Sequence, residues 1–277
     1  MSTLPSALTA NAGDQLRHFR RKAGLSQLEL GLLAGVSQRH LSCVETGRAK
    51  ASPSTLHALL SALDVPLEHC NKVLLAAGYA PRYGASAPDA PALKMVHDAL
   101  DHLLLANNPA PAIVIDRNWD ITAANASAGL LFAMAGVPTH DAQGLNLLDT
   151  LLCPDGLGKH LVNAAQIRAI AWQRATREAV DNPHLAQRLQ NLQAPPALTA
   201  DALQSPLVLT RIATDAGELR FLSTFTTFGM PQDITVASLR IEHLIPADNA
   251  TWQAMTTAYD AWQHSNRSQR AGAPGTR

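Results

Sequence analysis

Residues 26–50 read SQLELGLLAGVSQRHLSCVETGRAK, and this stretch decides the fold of the first part of the chain. Apolar residues recur at steps of three and four on both sides of Gly35: Leu28, Leu32 and Leu33 before it, and Val36, Leu41 and Val44 after it. That spacing predicts two short helices joined by a tight turn, which is a helix-turn-helix. Ser26 and Ser37 stand where helix N-caps are expected, and Glu29 has the capping-box spacing after Ser26.

The second predicted helix begins with the polar residues Gln38, Arg39 and His40. In a helix-turn-helix, the N-terminal turn of this helix meets base edges in the DNA major groove. A Gln side chain can pair in bidentate fashion with adenine, and an Arg side chain with guanine. These residues therefore predict base recognition, against the plainer alternative of a solvated helix end.

The whole segment 14–80, which includes LRHFRRKAGLSQLELGLLAGVSQRHLSCVETGRAKASPSTLHALLSALDV, resembles the Cro/lambda-repressor or xenobiotic-response-element (XRE) type of DNA-binding domain. The resemblance implies five short helices and double-stranded DNA as the partner. It implies that Gln27 touches phosphate and supports the recognition helix, and that Glu45 is structural. The DNA-binding candidates are Gln27, Ser37, Gln38, Arg39, His40, Ser42, Cys43, Arg48 and Lys50.

Residues 1–80 contain eight Lys and Arg against five Asp and Glu, although the whole chain has no net charge. The basic residues of interest are Arg17, Arg20, Arg21, Lys22, Arg39, Arg48 and Lys50. In a first helix predicted from about Asp14 to Ala23, the three arginines are expected to point largely outward. The excess of positive charge in residues 1–80 is compatible with binding to a DNA phosphate backbone, and equally with a solvated helix face.

A chain of 277 residues has room for a second domain. We predict a disordered segment 1–13, a DNA-binding domain 14–80, a Pro-rich linker 81–92, a second domain 93–264 and a disordered segment 265–277. No apolar run approaches a membrane span, and the first residues do not read as a secretory signal. Three widely spaced cysteines suit a reducing cytoplasm without disulfides. We therefore expect a cytoplasmic protein that does not bind membranes.

The second domain is predicted to be α+β. A helix is expected over Leu93–Leu105, and a mostly helical region over 145–194 includes an amphipathic stretch through Val162, Ile167, Ile170, Trp172 and Val180. The predicted strands are Ala112–Asp116, Ile121–Ala124, Leu207–Thr214, Leu219–Phe228 and Ile234–Ile245. This order indicates a PAS-like domain, in which a five-stranded antiparallel sheet carries flanking helices and a cavity lies between them.

The stretches PAIVIDRNWDITAANASAGLLF and LRFLSTFTTFGMPQDITVASLRIEHLIPADNAT resemble the ligand-binding domain of MmyB-like transcriptional regulators. That resemblance implies a PAS-like fold and a fatty-acid-like small molecule as a partner. Trp119, Asn125, Phe221 and Phe225 are candidate ligand-binding residues. Trp119 and Asn125 fit a structural role as well.

No catalytic residue, cofactor or metal site is expected. The eleven histidines form no ligand pattern, and His97 and His102 are five residues apart, which places them on different faces of a helix. The leading hypothesis is a homodimeric transcription regulator that reads an inverted-repeat operator and responds to an apolar ligand. The alternatives are a DNA-binding repressor whose second domain is a ligand-free dimerisation or interaction module, and an enzyme fused to a DNA-binding domain.

Overall fold

The structure of the protein is a computed structural model that describes residues 11–137, 142–153, 156–196, 207–215 and 217–272. It forms two compact units. The N-terminal unit extends to Ala90 and also contains Met230–Ala237, whereas the C-terminal unit contains Pro91–Gly229 and the residues from Ser238 onward. The α+β fold class predicted from the sequence is confirmed.

Between residue 11 and Ala90, the described part of the N-terminal unit forms five helices, as predicted. They are α1 (Ala12–Lys22), α2 (Gln27–Ala34), α3 (Gln38–Glu45), α4 (Pro53–Ala62) and α5 (Leu67–Ala76). Their common core contains leucines from four of the five helices, each 1% exposed or less: Leu16, Leu30, Leu41, Leu56, Leu59 and Leu60.

The turn between α2 and α3 has the predicted local chemistry. Ser26 and Glu29 form a complete capping box at the start of α2, and the Ser37 side chain accepts a hydrogen bond from the His40 backbone N–H. Gly35 ends α2 with φ +67°, a conformation that glycine adopts without steric cost. At Gly31 an added Cβ would lie 2.5 Å from the Val36 carbonyl oxygen, so the close approach of turn and helix requires glycine.

The apolar repeat located α2 correctly but did not identify its buried face. Leu28, Leu32 and Leu33 are 53%, 75% and 64% exposed, whereas Leu30 is fully buried. The helix sequence QLELGLLA is apolar around most of its circumference, so periodicity cannot choose a face. The buried face of α2 is instead determined by packing against the neighbouring parts of the unit, which cover Leu30 and Gly31.

Both predicted disordered segments are partly helical. Asn11 caps α1 through a hydrogen bond from the Asp14 N–H, so the helix starts earlier than predicted, while residues 1–10 lie outside the described residues. The C-terminal helix α12 (Asn249–Gly272) continues well past residue 264. Arg267, Gln269, Arg270 and Ala271 have good helix propensity, and they help to extend the helix past the weaker helix formers Ser265, Asn266 and Ser268.

The segment predicted as a linker is anchored in its first half. Tyr83 is 8% exposed and packs with the core of the N-terminal unit. The Asn71 side chain on α5 accepts hydrogen bonds from the Arg82 and Tyr83 N–H groups and donates one to the Tyr83 carbonyl. Composition predicts a free chain here, but the buried Tyr83 ring and the Asn71 hydrogen bonds anchor the segment.

The C-terminal unit contains an antiparallel five-stranded sheet in the order β2-β1-β5-β4-β3. The strands are β1 (Ala112–Ile115), β2 (Ile121–Ala124), β3 (Leu209–Thr214), β4 (Gly217–Thr226) and β5 (Arg240–Pro246). The helices of this unit include α6 (Lys94–Asn107), α7 (Ala126–Met134), α8 (Leu147–Leu152), α9 (Ala164–Ala179) and α10 (Pro183–Gln190). A further helix, α11 (Ile234–Ser238), lies almost entirely in the segment Met230–Ala237 of the N-terminal unit. Two 3-10 turns lie at Pro91–Leu93 and Leu157–Lys159.

The last predicted strand is shorter than expected because Ile234–Ser238 forms the helix α11. Asp233 Oδ1 accepts hydrogen bonds from the Thr235 and Val236 N–H groups at 2.8 and 3.3 Å. This N-cap outweighs the β propensity of the Ile-Thr-Val sequence that follows it.

Different helices pack on the two faces of the sheet. On one face, Leu100 and Leu104 of α6 pack against Val114 and Ile241. The other face carries the larger core, which includes Ile113, Ile115 and residues of α7 to α10 and α12. We call this second side the inner face.

Helix α9 packs on the inner face partly through residues that the predicted amphipathic stretch includes, since Ile167 and Trp172 lie partly buried against the core. Its buried residues are Ala169, Ala171 and Ala175. Val162 and Val180, which were predicted to belong to the apolar stripe, are 47% and 81% exposed and lie outside the helix. Small side chains let the helix approach the core, so its most buried residues are alanines, with Ile167 and Trp172 packed beside them.

Candidate DNA-binding surface and ligand cavity

The recognition helix α3 is held in place by Glu45 at its C-terminal end. Arg20 Nε and Nη2 donate to the two Glu45 carboxylate oxygens at 2.6 and 2.8 Å, and Gln27 Nε2 donates to Oε2 at 2.9 Å. Burial alone would raise the pKa of Glu45, but the hydrogen bonds from Arg20 and Gln27 and the charges of Arg20 and Arg17 outweigh it and lower the pKa. One ionised carboxylate therefore joins α1, α2 and α3.

Arg17 and Arg20, which were expected to point outward, both contact Glu45. Arg20 is only 9% exposed, and Arg17 donates to the Glu45 backbone carbonyl while its Nε lies 3.6 Å from Oε2. Arg20 is therefore not available to a phosphate, because the buried Glu45 requires a cationic partner.

The first turn of α3 presents the predicted base-reading residues. Gln38 and Arg39 are exposed, and His40 is partly exposed behind the Ser37 cap. Ser42 and Cys43 are partly exposed one turn later.

The remaining candidates flank the recognition helix. Gln27 at the start of α2 is partly buried by its bond to Glu45, in line with its expected supporting role. Arg48 and Lys50 are exposed in the loop after α3, and Lys50 Nζ lies 4.6 Å from the centre of the Tyr79 ring. The Tyr79 hydroxyl donates to the Ala51 carbonyl at 3.0 Å, which fixes the ring under the lysine. The nine DNA-binding candidates thus lie on α2, in the turn before α3, on α3 and in the loop that follows it.

The C-terminal unit contains an apolar cavity of about 70 Å³ at the inner face of the sheet. Its walls come from α7, α8, α9 and three strands, and include Ala128, Leu131, Leu151, Ile167, Ile212 and Leu244. Thr210 and Glu242 contribute the only polar side chains among the described residues that line it. An apolar space with few polar groups is typical of a small-molecule site.

None of the four predicted ligand-binding residues lines this cavity. Asn125 uses its side chain on backbone groups: Oδ1 accepts from the Ala112 and Ala128 N–H groups, and Nδ2 donates to the Ala110 carbonyl at 2.8 Å. Phe221 is fully buried in the main core. These two residues have structural roles.

Trp119 and Phe225 belong to a separate polar cluster. Trp119 is buried, has φ +67°, and donates from Nε1 to Glu178 Oε2 at 2.8 Å. Phe225 is 42% exposed, and the Arg174 guanidinium lies 3.9 Å from its ring centre. Left-handed backbone is uncommon for a bulky residue and often marks a functional site.

Glu242 is the polar residue that sequence reasoning missed. Ser223 Oγ donates to Glu242 Oε1 at 2.5 Å. Burial raises the pKa of Glu242, and the Ser223 hydrogen bond and the charges of Arg174 and Arg240 offset this only in part. The signal in the sequence was the alternation RIEHLI at residues 240–245, which places Arg240 and Glu242 on the same side of a strand.

A wider polar groove of about 540 Å³ lies near Asp120, Asp149 and Arg188. Arg188 pairs with Asp149 at 2.5 Å and with Asp120 at 3.5 Å. The charged groups of this groove are thus already paired with one another.

Neither a group of metal-binding side chains nor a helix that could span a membrane occurs in the part of the chain that the structure describes. There, no group of three His, Cys, Asp or Glu side chains is arranged to hold a metal ion. The described helices also include none whose length and apolarity would let it cross a bilayer.

Comparisons with known proteins agree with this two-part organisation. Residues 12–71 match the model of a helix-turn-helix domain, and residues 96–258 match that of the MmyB-like transcription regulator ligand binding domain. A search of curated proteins found no match.

Two solved structures show partial similarity. The restriction-modification controller protein C.AhdI from Aeromonas hydrophila shares 32% identity over 21% of this chain and 89% of its own, with a TM-score of 0.21. An RNA-binding light-oxygen-voltage receptor shares 12% identity over 94% of this chain and 65% of its own, with a TM-score of 0.27.

The MmyB-like match covers more than half of the 277 residues and follows a helix-turn-helix match. The chain therefore belongs to the MmyB-like transcription regulators: it is a transcription regulator with a helix-turn-helix DNA-binding domain and an MmyB-like ligand-binding domain, and not an enzyme.

Proposed function

We propose that this regulator binds an inverted-repeat operator as a homodimer and that an apolar, fatty-acid-like ligand in its PAS-like C-terminal domain changes its affinity for that operator. The observation that carries the proposal is the apolar cavity at the inner face of the sheet, in a chain that also presents an exposed recognition helix.

The DNA-binding part of the proposal rests on α3. Gln38 and Arg39 are exposed at the helix start, and we expect them to contact base edges. We expect Gln27, Ser37, Arg48 and Lys50 to contact phosphates. His40, Ser42 and Cys43 complete this surface. One recognition helix of this length makes few base contacts. Tight binding to an operator therefore requires two copies of the protein, each bound to one half-site.

The regulatory part is supported by the segment Met230–Ala237. In sequence this segment connects β4 to β5, which carries Glu242 at the cavity, yet it packs within the N-terminal unit. Asp233 Oδ2 accepts from Ser86 N–H at 2.9 Å and from Ser86 Oγ at 2.8 Å, and the Ile234 N–H donates to the Gly84 carbonyl at 2.8 Å. A shift of β5 caused by a ligand would be passed to this segment through the chain itself.

The cavity volume limits what the ligand can be without rearrangement. An apolar cavity of about 150 Å³ is enough to bind benzene, and this cavity has about half that volume. Side chains that line it must move to admit an acyl chain of ten or more carbons. The small volume also favours the alternative function, in which the C-terminal domain is a ligand-free dimerisation or interaction module.

A cavity-filling variant tests the proposal. Ala128→Val adds two carbon atoms inside the cavity, whereas Ala133→Val makes the same change on the exposed side of the same helix. In protein stripped of lipid, decanoic acid should shift the operator-binding midpoint of the wild type and of Ala133→Val, and have a weaker effect on Ala128→Val. An operator affinity that does not respond to the acid in the wild type would favour the ligand-free alternative.

A further inference from the structure

Helix α12 is the longest of the described helices, with 24 residues, and only its first part packs against the rest of its unit. Thr251 and Met255 are fully buried there, where the helix contacts α7, β4 and β5. From Tyr259 to Ser268, by contrast, no side chain is buried. A helical segment of this length is marginally stable in water unless one of its faces is packed. The second half of α12 therefore lacks a packed face among the described residues.

This helix carries an aromatic stripe formed by Trp252, Tyr259 and Trp262. Trp252 and Trp262 are 44% and 38% exposed, and the ring of Trp262 stacks on that of Tyr259 with the ring centres 5.6 Å apart. A helix turns about 100° per residue, so the three side chains fall within an arc of about 80°. Aromatic residues make up only 4% of the sequence, yet two of its four tryptophans lie here. Because Trp and Tyr are enriched where proteins contact one another, the stripe indicates a protein interface.

The spacing of the stripe is that of a helix that pairs with another helix. Trp252, Tyr259 and Asn266 follow one another at steps of seven residues. Trp262 lies three residues after Tyr259 and four before Asn266. This alternation of three and four residues is the a and d pattern of paired helices, in which a single polar Asn at an a position fixes the alignment. We therefore expect the second half of α12 to pack against a helix.

The charges beside the stripe identify that helix as α12 of a second copy. Asp260 and Arg267 are both exposed and lie on the same flank of α12, about 10 Å apart along its axis, which is too far for them to pair with each other. Two antiparallel copies of α12 related by a two-fold axis near His264 place Asp260 of one copy level with Arg267 of the other, and this happens twice. The two-fold axis also matches the symmetry of an inverted-repeat operator.

We propose that the second half of α12 is the dimerisation element of this regulator. Its face with Tyr259, Trp262 and Asn266 packs in antiparallel orientation on the same face of a second copy. The inference rests on the homodimer of the proposed function and assigns the contact that forms it. This contact uses no residue of the DNA-binding domain, so both recognition helices remain available to the two half-sites.

Sedimentation equilibrium of the full-length protein at micromolar concentrations tests the contact. Trp262→Glu places a charge within it, and we expect the dissociation constant of the dimer to rise about thirtyfold or more, the effect of losing an interface hot spot. Thr257→Glu is the matched control, because it adds the same charge to the exposed opposite face of the same helix. The control should dimerise as the wild type does.

A charge exchange tests whether the partner is a second copy. Asp260→Arg and Arg267→Asp should each weaken the dimer severalfold, because each substitution brings like charges together at two symmetry-related places. The double variant restores both opposite-charge pairs, so its dimer should be as strong as that of the wild type. A double variant whose dimer is no stronger than those of the single variants would overturn the antiparallel pairing.

The remaining outcomes separate this contact from the function on which it rests. A monomeric wild type would overturn both the contact and the homodimer. If Trp262→Glu is folded by circular dichroism and dimerises as the wild type does, the contact is wrong while the homodimer stands on another surface. If Trp262→Glu is unfolded, the charge exchange decides, since both of its positions are exposed. A monomer whose tryptophan fluorescence shifts to the blue with phosphatidylcholine vesicles would assign the stripe to a membrane surface and contradict the proposal.

Discussion

Arg20 on α1 and Glu45 at the end of α3 form a buried, two-pronged ion pair with distances of 2.6 and 2.8 Å. The same carboxylate accepts from Gln27 on α2. The recognition helix is therefore fixed to both preceding helices by one side chain, and its exposed first turn is presented on a rigid support.

Replacing Glu45 should destabilise the N-terminal unit strongly. Glu45→Gln leaves the Arg20 guanidinium buried without an anion, and removing one partner of a buried pair costs about 3–5 kcal/mol. Glu29→Gln is the control, because Gln can also complete a capping box and the position is exposed. Urea unfolding followed by circular dichroism measures both. Similar unfolding free energies for the two variants would show that Glu45 contributes no more than a surface acid.

The same pair predicts a pH dependence. The pKa of Glu45 is lowered in the folded protein, so its contribution to stability is complete above the unfolded value of about 4.3 and is lost as the pH falls through the folded value. The difference in unfolding free energy between wild type and Glu45→Gln should therefore shrink as the pH falls below about 4. A constant difference between pH 7 and pH 3 would argue against an ionised Glu45.

Base contacts and phosphate contacts should respond differently to substitution. Gln38→Ala and Arg39→Ala should weaken binding to the operator more than binding to random DNA, by about 1–3 kcal/mol for each bidentate contact. Arg48→Ala should weaken both nearly equally and make the salt dependence shallower. Fluorescence titrations at several salt concentrations measure these effects. Equal losses on both DNAs for the first two variants would contradict base reading.

A homodimer should read two half-sites. We expect footprints on an inverted repeat whose half-site centres are about one helical turn, 10–10.5 base pairs, or a multiple of it apart. Sedimentation should show a dimer at micromolar concentration. A monomer that protects a single half-site would contradict the dimer proposal.

Asp233 should be required for the ligand response but not for ligand binding. Asp233→Ala removes the acceptor for Ser86 and the cap of α11, so octanoic or decanoic acid should still bind while its effect on operator affinity falls. Asp248→Ala is the control, because Asp248 caps a helix in the C-terminal unit through the Thr251 N–H. An unchanged ligand response in Asp233→Ala would mean that the coupling uses another route.

The sequence alone determined the features that depend on neighbouring residues. These features are the caps at Ser26 and Ser37, the left-handed Gly35 and the first hairpin at residues 112–124. Each of them depends on interactions between residues a few positions apart, so a short stretch of sequence is sufficient to predict it. The number of helices in the N-terminal unit and of strands in the sheet could be predicted for the same reason.

Only the tertiary structure decided which of these residues are buried and what they contact. Leu30 instead of Leu32 faces the core, Arg20 turns inward to Glu45 twenty-five residues away, and Asp233 converts a strand-like sequence into α11 while bonding to Ser86. The cavity combines side chains from Pro111 to Leu244. Packing energies and buried charges depend on partners distant in sequence, and local propensity carries no information about those partners.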